Sequence, residues 1–409
     1  MRTFLLAASL LPTPAIAQSV IVVDDGPGPD VDFNSLIDAV AAAGPEDVVL
    51  VREGTYNGFF AVNGSISIYA EGPGVELLGR PTVAFLEPDE RVILHGFDVI
   101  STPMFGAGLS VDECEGAVWL ERIRVFASGA PFFTGITAVT IDDSANVTVS
   151  DCTFEVSLEP DAEERAVEGL TVRSSSVQIF DSTVQGGLPS GPFSANAAEF
   201  RASEGFIKNS VFKGGPGSNG MEATSDEDCT NGLPGGAAVR VESDADLTFL
   251  SSRIQGGPGG LPGAGGSCMA GPQGAPFESD GSALPVLEDT VLPPRGFSLP
   301  NPLFTGMPAA ATFEGTPGEF IWLLSSHDLA PTFEPLLSGV LIPADPAEVL
   351  FVGTIPQSGE LDLPFTITLP GGTPYSLTWL QPLSFSSADA FLLGTPRAAL
   401  VVGAGPATF

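Results

Sequence analysis

Three stretches of this chain write nearly the same line: "VQIFDSTVQGG" at 177–187, "GFIKNSVFKGG" at 205–215 and "LTFLSSRIQGG" at 247–257. Aligned on its first position, the line recurs at Ile66, Val92, Val118, Val147, Val177, Gly205 and Leu247, in steps of 26, 26, 29, 30, 28 and 42 residues. Repeats of this size cannot bury an apolar face alone, so they must stack on their neighbours. Within each copy the apolar residues alternate, as in Val118 and Leu120 or Val177 and Ile179, which is the period of a strand. A second apolar pair precedes each line by seven to nine residues (Leu109 and Val111, Val139 and Ile141, Leu170 and Val172), and a third follows a turn (Ile123 and Val125, Cys152 and Phe154). Three short strands per coil with no helix between them predict a parallel β-helix, in which coiling itself supplies the crossover that parallel strands need. The turn position carries Asp151, Asp181, Asn209 and Ser251. These are short polar residues suited to a tight left-handed corner, where they stack as a structural ladder.

Upstream of the coils, "DFNSLIDAVAAAG" at 32–44 reads as one amphipathic helix. Asp32 is its expected N-cap, Phe33, Leu36, Ile37 and Val40 form its apolar stripe, and Gly44-Pro45 stops it. Such a helix would close the open end of the solenoid core. The run from "DFNSLIDAVAAAGPEDVVLVREGTYNG" through "SISIYAEG" resembles the opening of right-handed parallel β-helix proteins of the pectin-lyase-like superfamily, and is especially similar to the start of pectinesterases. The resemblance covers roughly residues 20–290, and it speaks to fold more than to activity. Beyond it, "SALPVLEDTVLPPRGFSLPNP" is Pro-rich, and short apolar strands then alternate with Gly and Pro turns, as an antiparallel β-sandwich does. The expected class is all-β: a right-handed parallel β-helix at 18–285 with its capping helix, a linker at 286–300 and a small β-sandwich at 301–409.

The first 17 residues read as a secretory signal, with Arg2, an apolar run from Phe4 to Leu11, and Ala15-Ile16-Ala17 before Gln18. The mature chain is therefore expected outside the cytosol, secreted or at the cell surface, as a monomer with no membrane span. Fifty acidic residues against 15 basic ones give a net charge of −35. That surface disfavours nucleic acid, which binds through Lys and Arg.

A working pectinesterase would carry catalytic aspartates, glutamines and an arginine in motifs of the types "QAVAL", "QDTL" and "DFIFG", and these are missing. "LGRP" at 78–81 stands too early in the chain to make Arg80 a catalytic match. "DDSANVTVSDCTF" at 142–154 is similar to a pectate-lyase rung in which acids hold Ca²⁺, although "EVSLEPD" replaces the His-Lys segment expected after it. Asp142 and Asp143 could hold a hard cation or cap a turn. Together with Arg173, Arg201 and Arg240 they form the one candidate catalytic set, and it gains if the five converge in a groove. His95 and His327 fall in different expected domains, and His95 reads as a coil-surface residue. The insertions at 214–237 and 256–281 leave consecutive coils at one corner, which favours pairing Cys229 with Cys268. That leaves Cys114 with Cys152, unless Cys152 is a buried thiol. Asp226, Glu227 and Asp228 either bind Ca²⁺, the one cofactor these acids suggest, or form a solvated loop tip. The expected function is a non-catalytic or degenerate β-helix protein contacting extracellular polysaccharide; the alternative is a polysaccharide lyase, hydrolase or esterase.

Overall fold

The computed structural model describes residues 19–403 except 29, 63, 102–105, 130–135, 159–167, 189–193, 223–228, 265–266, 283, 289–294, 335–336, 338, 345–346 and 386–390. The expected signal segment and Asp226, Glu227 and Asp228 lie outside the described residues. Contacts divide the chain into one unit over Ile21–Thr290 and another that holds Val291–Phe409.

The first unit is a parallel β-helix. Each coil runs through a strand of a lead sheet, one of a middle sheet and one of a trailing sheet. In one coil these are Ile136–Asp142, Asn146–Ser150 and Thr153–Leu158. Stacking the coils makes a ten-stranded middle sheet and two eight-stranded sheets beside it. The register follows the repeated line: Ile66, Val92, Val118, Val147, Val177, Gly205 and Leu247 are successive partners across the middle sheet. Gly205 fits because its neighbour fills the gap; a Cβ there would come within 2.7 Å of the Leu247 side chain. The inward residues of all three sheets form one continuous core, including Val92, Ile141, Phe154, Phe200 and Phe249.

Two of the three corners in each coil are tight. At the corner after the middle sheet, Arg122, Asp151, Asp181, Asn209 and Ser251 all take positive φ. At the corner after the lead sheet, Glu113, Asp143, Ser174, Ala202 and Ser243 do the same. Eight of these ten left-handed residues donate their N–H to the strand-end carbonyl of the next coil, as Asp151 does to Phe180 and Asp181 to Lys208, and Ser243 donates to Asp280 Oδ2. The residue that follows points inward, so its own N–H is shut away from water and needs a partner. The next coil supplies one. Cys152 N–H donates to Ser182 Oγ (3.1 Å), Ser182 N–H to Ser210 Oγ (3.2 Å), and Ser210 N–H to Ser252 Oγ (3.2 Å). The other corner repeats the chain through Cys114, Ser144, Ser175 and Ser203. Each hydroxyl also donates to the carbonyl two residues before it, for example Ser182 to Phe180 at 2.7 Å.

These corners overturn the pairing of Cys114 with Cys152. Both are buried free thiols, and each belongs to a different corner, where it occupies a serine's place. The Cys152 thiol donates to the Ser150 carbonyl and the Cys114 thiol to the Asp112 carbonyl, each at 3.3 Å. Burial pushes the Cys152 thiol up to about 12 and raises Cys114 as well, which leaves neither a reactive thiolate.

The capping helix spans Leu36–Ala42, with Ser35 rather than Asp32 as N-cap; Ser35 Oγ accepts from Asp38 N–H at 3.3 Å. Asp32 instead accepts from Val22 N–H at 2.8 Å, because the chain around Phe33 bridges to Val23 before the helix begins. Leu36 and Ala39 join the solenoid core, while Ile37, expected inside, is 44% exposed.

The third corner, from trailing to lead sheet, is where lengths vary. The two late insertions there form four extended segments joined by backbone hydrogen bonds. Gly214, Gly217 and Gly220 donate to Gln255, Pro258 and Leu261. Gly257, Gly260 and Gly263 donate to Gly236, Leu233 and Thr230, and Gly271 and Gly274 donate to Gly260 and Gly257. A step of three on both partners is the period of polyproline II helices, here bundled side by side. A Cβ at Gly235 or Gly257 would overlap a carbonyl of the adjoining segment. The disulfide Cys229–Cys268 ties two of these segments together.

The second unit has mainly antiparallel sheets, with one parallel pair between Leu303–Phe304 and Arg397–Val402. One combines Phe297–Ser298, Pro308–Glu314 and Glu360–Thr366. The larger runs in the order Leu303–Phe304, Arg397–Val402, Tyr375–Phe385, Phe320–Ser326 and Glu348–Thr354. Phe297, Phe313, Ile321, Ile355 and Val401 fill its core. The Pro-rich stretch expected as a linker carries strands at both ends. Val286–Glu288 adds the last strand of the middle sheet, and Phe297 pairs with Phe313.

Ser182→Ala would strand the buried Cys152 N–H, at a cost of about 1–3 kcal/mol. The expected outcome is a lower urea midpoint, with Ser182→Cys milder because a cysteine already fills that place one coil away. Equal midpoints for parent and Ser182→Ala would refute the role of the corner hydroxyl.

Candidate functional site

Outward residues of the lead sheet form two rows across adjacent coils. In one, register places Asp112, Asp142, Arg173, Arg201 and Glu242 side by side; in the other, Ser110, Thr140, Thr171, Glu199 and Arg240. Strand spacing of about 4.8 Å sets the step along each row. The first row reads acid, acid, base, base, acid, and the second adds one opposite pair, Glu199 beside Arg240.

Four of the five candidate residues share this face. Arg173 Nη1 lies 3.7 Å from Asp142 Oδ1, and Arg201 sits one coil further along the same row. Arg240 belongs to the second row and its guanidinium turns to Glu242 Oε1 at 2.6 Å. Asp143 does not join them: it is the left-handed corner residue, with φ 45° and an exposed side chain. The pair Asp142 and Asp143 therefore diverges, because a left-handed corner separates two residues that are adjacent in sequence. Among the described residues no group of three or more His, Cys, Asp or Glu side chains is arranged to hold a metal ion.

Three further residues complete the face. Arg80 Nη2 donates to Ser110 Oγ at 3.1 Å, and Ser110 and Thr140 hydroxyls meet at 3.2 Å. Glu199 neighbours Arg240 in register, and Glu168 precedes the strand Leu170–Arg173. Burial raises the Asp142 carboxyl above its ordinary range; Arg173 pulls the other way, while Asp112 and Asp143 push it further up. Its Oδ1 is buried and accepts no hydrogen bond. Burial also raises Glu168, and Glu199 adds to the shift against Arg240 and Arg173. A face of this kind offers donors, acceptors and carboxyls held toward neutrality to an extended polar ligand. Glu199 could be found in the sequence by reading down the column of Arg240, one position before each lead-strand's last inward residue; Glu168 and Arg80 sit in irregular segments with no such column.

His95, expected on the coil surface, is 2% exposed. It lies in an outward row of the middle sheet, with the Tyr69 ring stacked at 5.1 Å and Glu121 Oε1 at 4.0 Å from Nε2. Trp119 Nε1 in turn donates to Glu121 Oε2 at 2.9 Å. Among the described residues no helix is long and apolar enough to cross a membrane.

No protein-family profile matches the sequence, and no curated protein does. Among solved structures the chain is similar to one described as "Rhamnogalacturonan lyase", with 12% identity and a TM-score of 0.22 over 66% of this chain and 85% of that one. The parallel β-helix rests on its own three sheets, independently of that match.

Arg173 is a favourable charge beside Asp142, so Arg173→Ala should move the Asp142 carboxyl to a still higher titration midpoint, followed by ¹³C-carboxyl NMR against pH. A midpoint that stays put or falls would contradict the ion pair.

Proposed function

We propose that this is a secreted β-helix protein of the pectin-lyase-like kind that binds an extended polysaccharide along the outer face of the lead sheet without turning it over. The observation that carries the reading is the row Asp142, Arg173, Arg201, one residue per coil on adjacent strands. Its regular step suits a polymer whose hydroxyl and carboxylate groups also repeat. The signal-like run at the N-terminus supports export. Against turnover stands the engagement of the candidate groups with each other. Asp142 faces Arg173, Arg240 faces Glu242, and Asp143 shapes a corner, so the acid and base that lyase or hydrolase chemistry requires are not left aimed at one reacting atom.

The reading is tested with pectate, alginate and methylated pectin, each with and without Ca²⁺, by affinity electrophoresis and by assay for unsaturated ends, reducing ends and methanol. The expected result is retention on at least one polymer with no product, weakened about tenfold by Arg173→Ala combined with Arg201→Ala, in keeping with the loss of charge-assisted hydrogen bonds. Product formation that disappears in Asp142→Asn would replace this reading with the enzymatic one. Absence of retention on every polymer would remove it.

A further inference from the structure

The bundle of extended segments ends in two exposed ridges. On the outgoing segment Gly257, Gly260 and Gly263 are buried against their neighbours, and the residues one position on, Pro258, Leu261 and Ala264, are exposed. On the returning segment Met269, Pro272 and Ala275 are exposed at the same step of three. Leu261 and Met269 are 67% and 69% accessible, yet the backbone beneath them is fixed by hydrogen bonds at every turn and by the Cys229–Cys268 disulfide. Residues 256–276 contain no charged side chain, in a chain of net charge −35.

The second unit bears a surface of complementary kind. Phe320, Phe351 and Phe391 are 40%, 52% and 44% exposed. Trp322 stands between the first two, with ring centroids at 6.2 and 5.7 Å. The strand Glu348–Thr354, which carries Phe351, is the last of its sheet. Here too "VLFVG" and "FLL" are uncharged, and Val349, Leu350, Phe351 and Phe391 are the exposed residues within them. An exposed apolar patch on a rigid sheet marks a contact surface. Preformed polyproline II ridges are recognised by aromatic-lined surfaces, since little entropy is lost on docking.

We propose that the aromatic face of one copy receives the polyproline II ridges of a second copy, so that chains associate head to tail. This departs from the monomer expected from sequence. The contact is heterologous and leaves one ridge and one aromatic face open at the ends of any assembly that does not close into a ring. It also joins the two uncharged surfaces of otherwise acidic molecules. Their long-range repulsion is screened over about 8 Å at 0.15 M salt and about 3 Å at 1 M, so added salt strengthens association.

Sedimentation velocity of the full chain over a wide concentration range, in low and high salt, tests this. Species heavier than the monomer should grow with concentration and with salt. Leu261→Asp and Phe351→Asp should each sediment as monomers, and mixing the two should restore a dimer, because one retains an intact aromatic face and the other an intact ridge. Met269→Asp and Phe391→Asp probe the same surfaces should either first variant fail to fold. A parent that stays monomeric at high salt overturns the proposal. So does loss of association in Phe351→Asp alone, which would mean that aromatic faces pair with each other, or a mixture that stays monomeric.

Discussion

The coil depends on one hydrogen bond, from the backbone N–H of an inward corner residue to the side chain stacked on it in the next coil. After each left-handed corner residue the chain dives inside, and the following N–H is sealed from solvent with no strand partner. Left alone, such a group would cost about 1–3 kcal/mol at each corner. Serine answers it twice over, accepting from the coil before and donating to its own chain two residues back. Early coils put apolar Phe97 and Ile123 in that place, and the cysteines stand where the apolar run meets the serines. The two free thiols are thus part of the stacking, and their burial follows from it.

Because two corners are fixed in this way, the third is left to vary. The repeated line always returns to the same register, whatever the chain does between trailing and lead sheets. Insertions of very different lengths can therefore be accommodated at that corner, and the late ones solve their own backbone problem as a polyproline II bundle with glycine where segments touch. The same fixed register turns the lead sheet's outward positions into straight rows. Asp142, Arg173 and Arg201 come from coils about 30 residues apart in sequence, yet the stacking alone makes them neighbours.

Much of this was legible from the residues. Period-two alternation with a constant repeat identifies strands, inward faces and register, because a single-residue slip would turn every apolar side chain outward. What was not legible depended on local backbone geometry. Asp142 and Asp143 look like a pair until the left-handed corner sends them apart. Asp32 looks like a cap until the bridge between Val23 and Phe33 brings its carboxylate to Val22 N–H. Cys114 and Cys152 look like partners when counted, but they lie on different corners. The glycines at every third position of "GGPGSNG" and "GGPGGLPGAGG" did announce a three-residue period, one easily taken for an unstructured loop.

Amide hydrogen exchange of the intact protein tests the corner most directly. If inward N–H groups are held by the stacked side chains, Cys152, Ser182 and Ser210 exchange as slowly as the strand amides of Val149 and Ile179, through opening of the whole unit. Exchange of those corner amides at the rate of exposed turns, while the strands stay protected, would show that the coil is held by its sheets alone and would contradict the account.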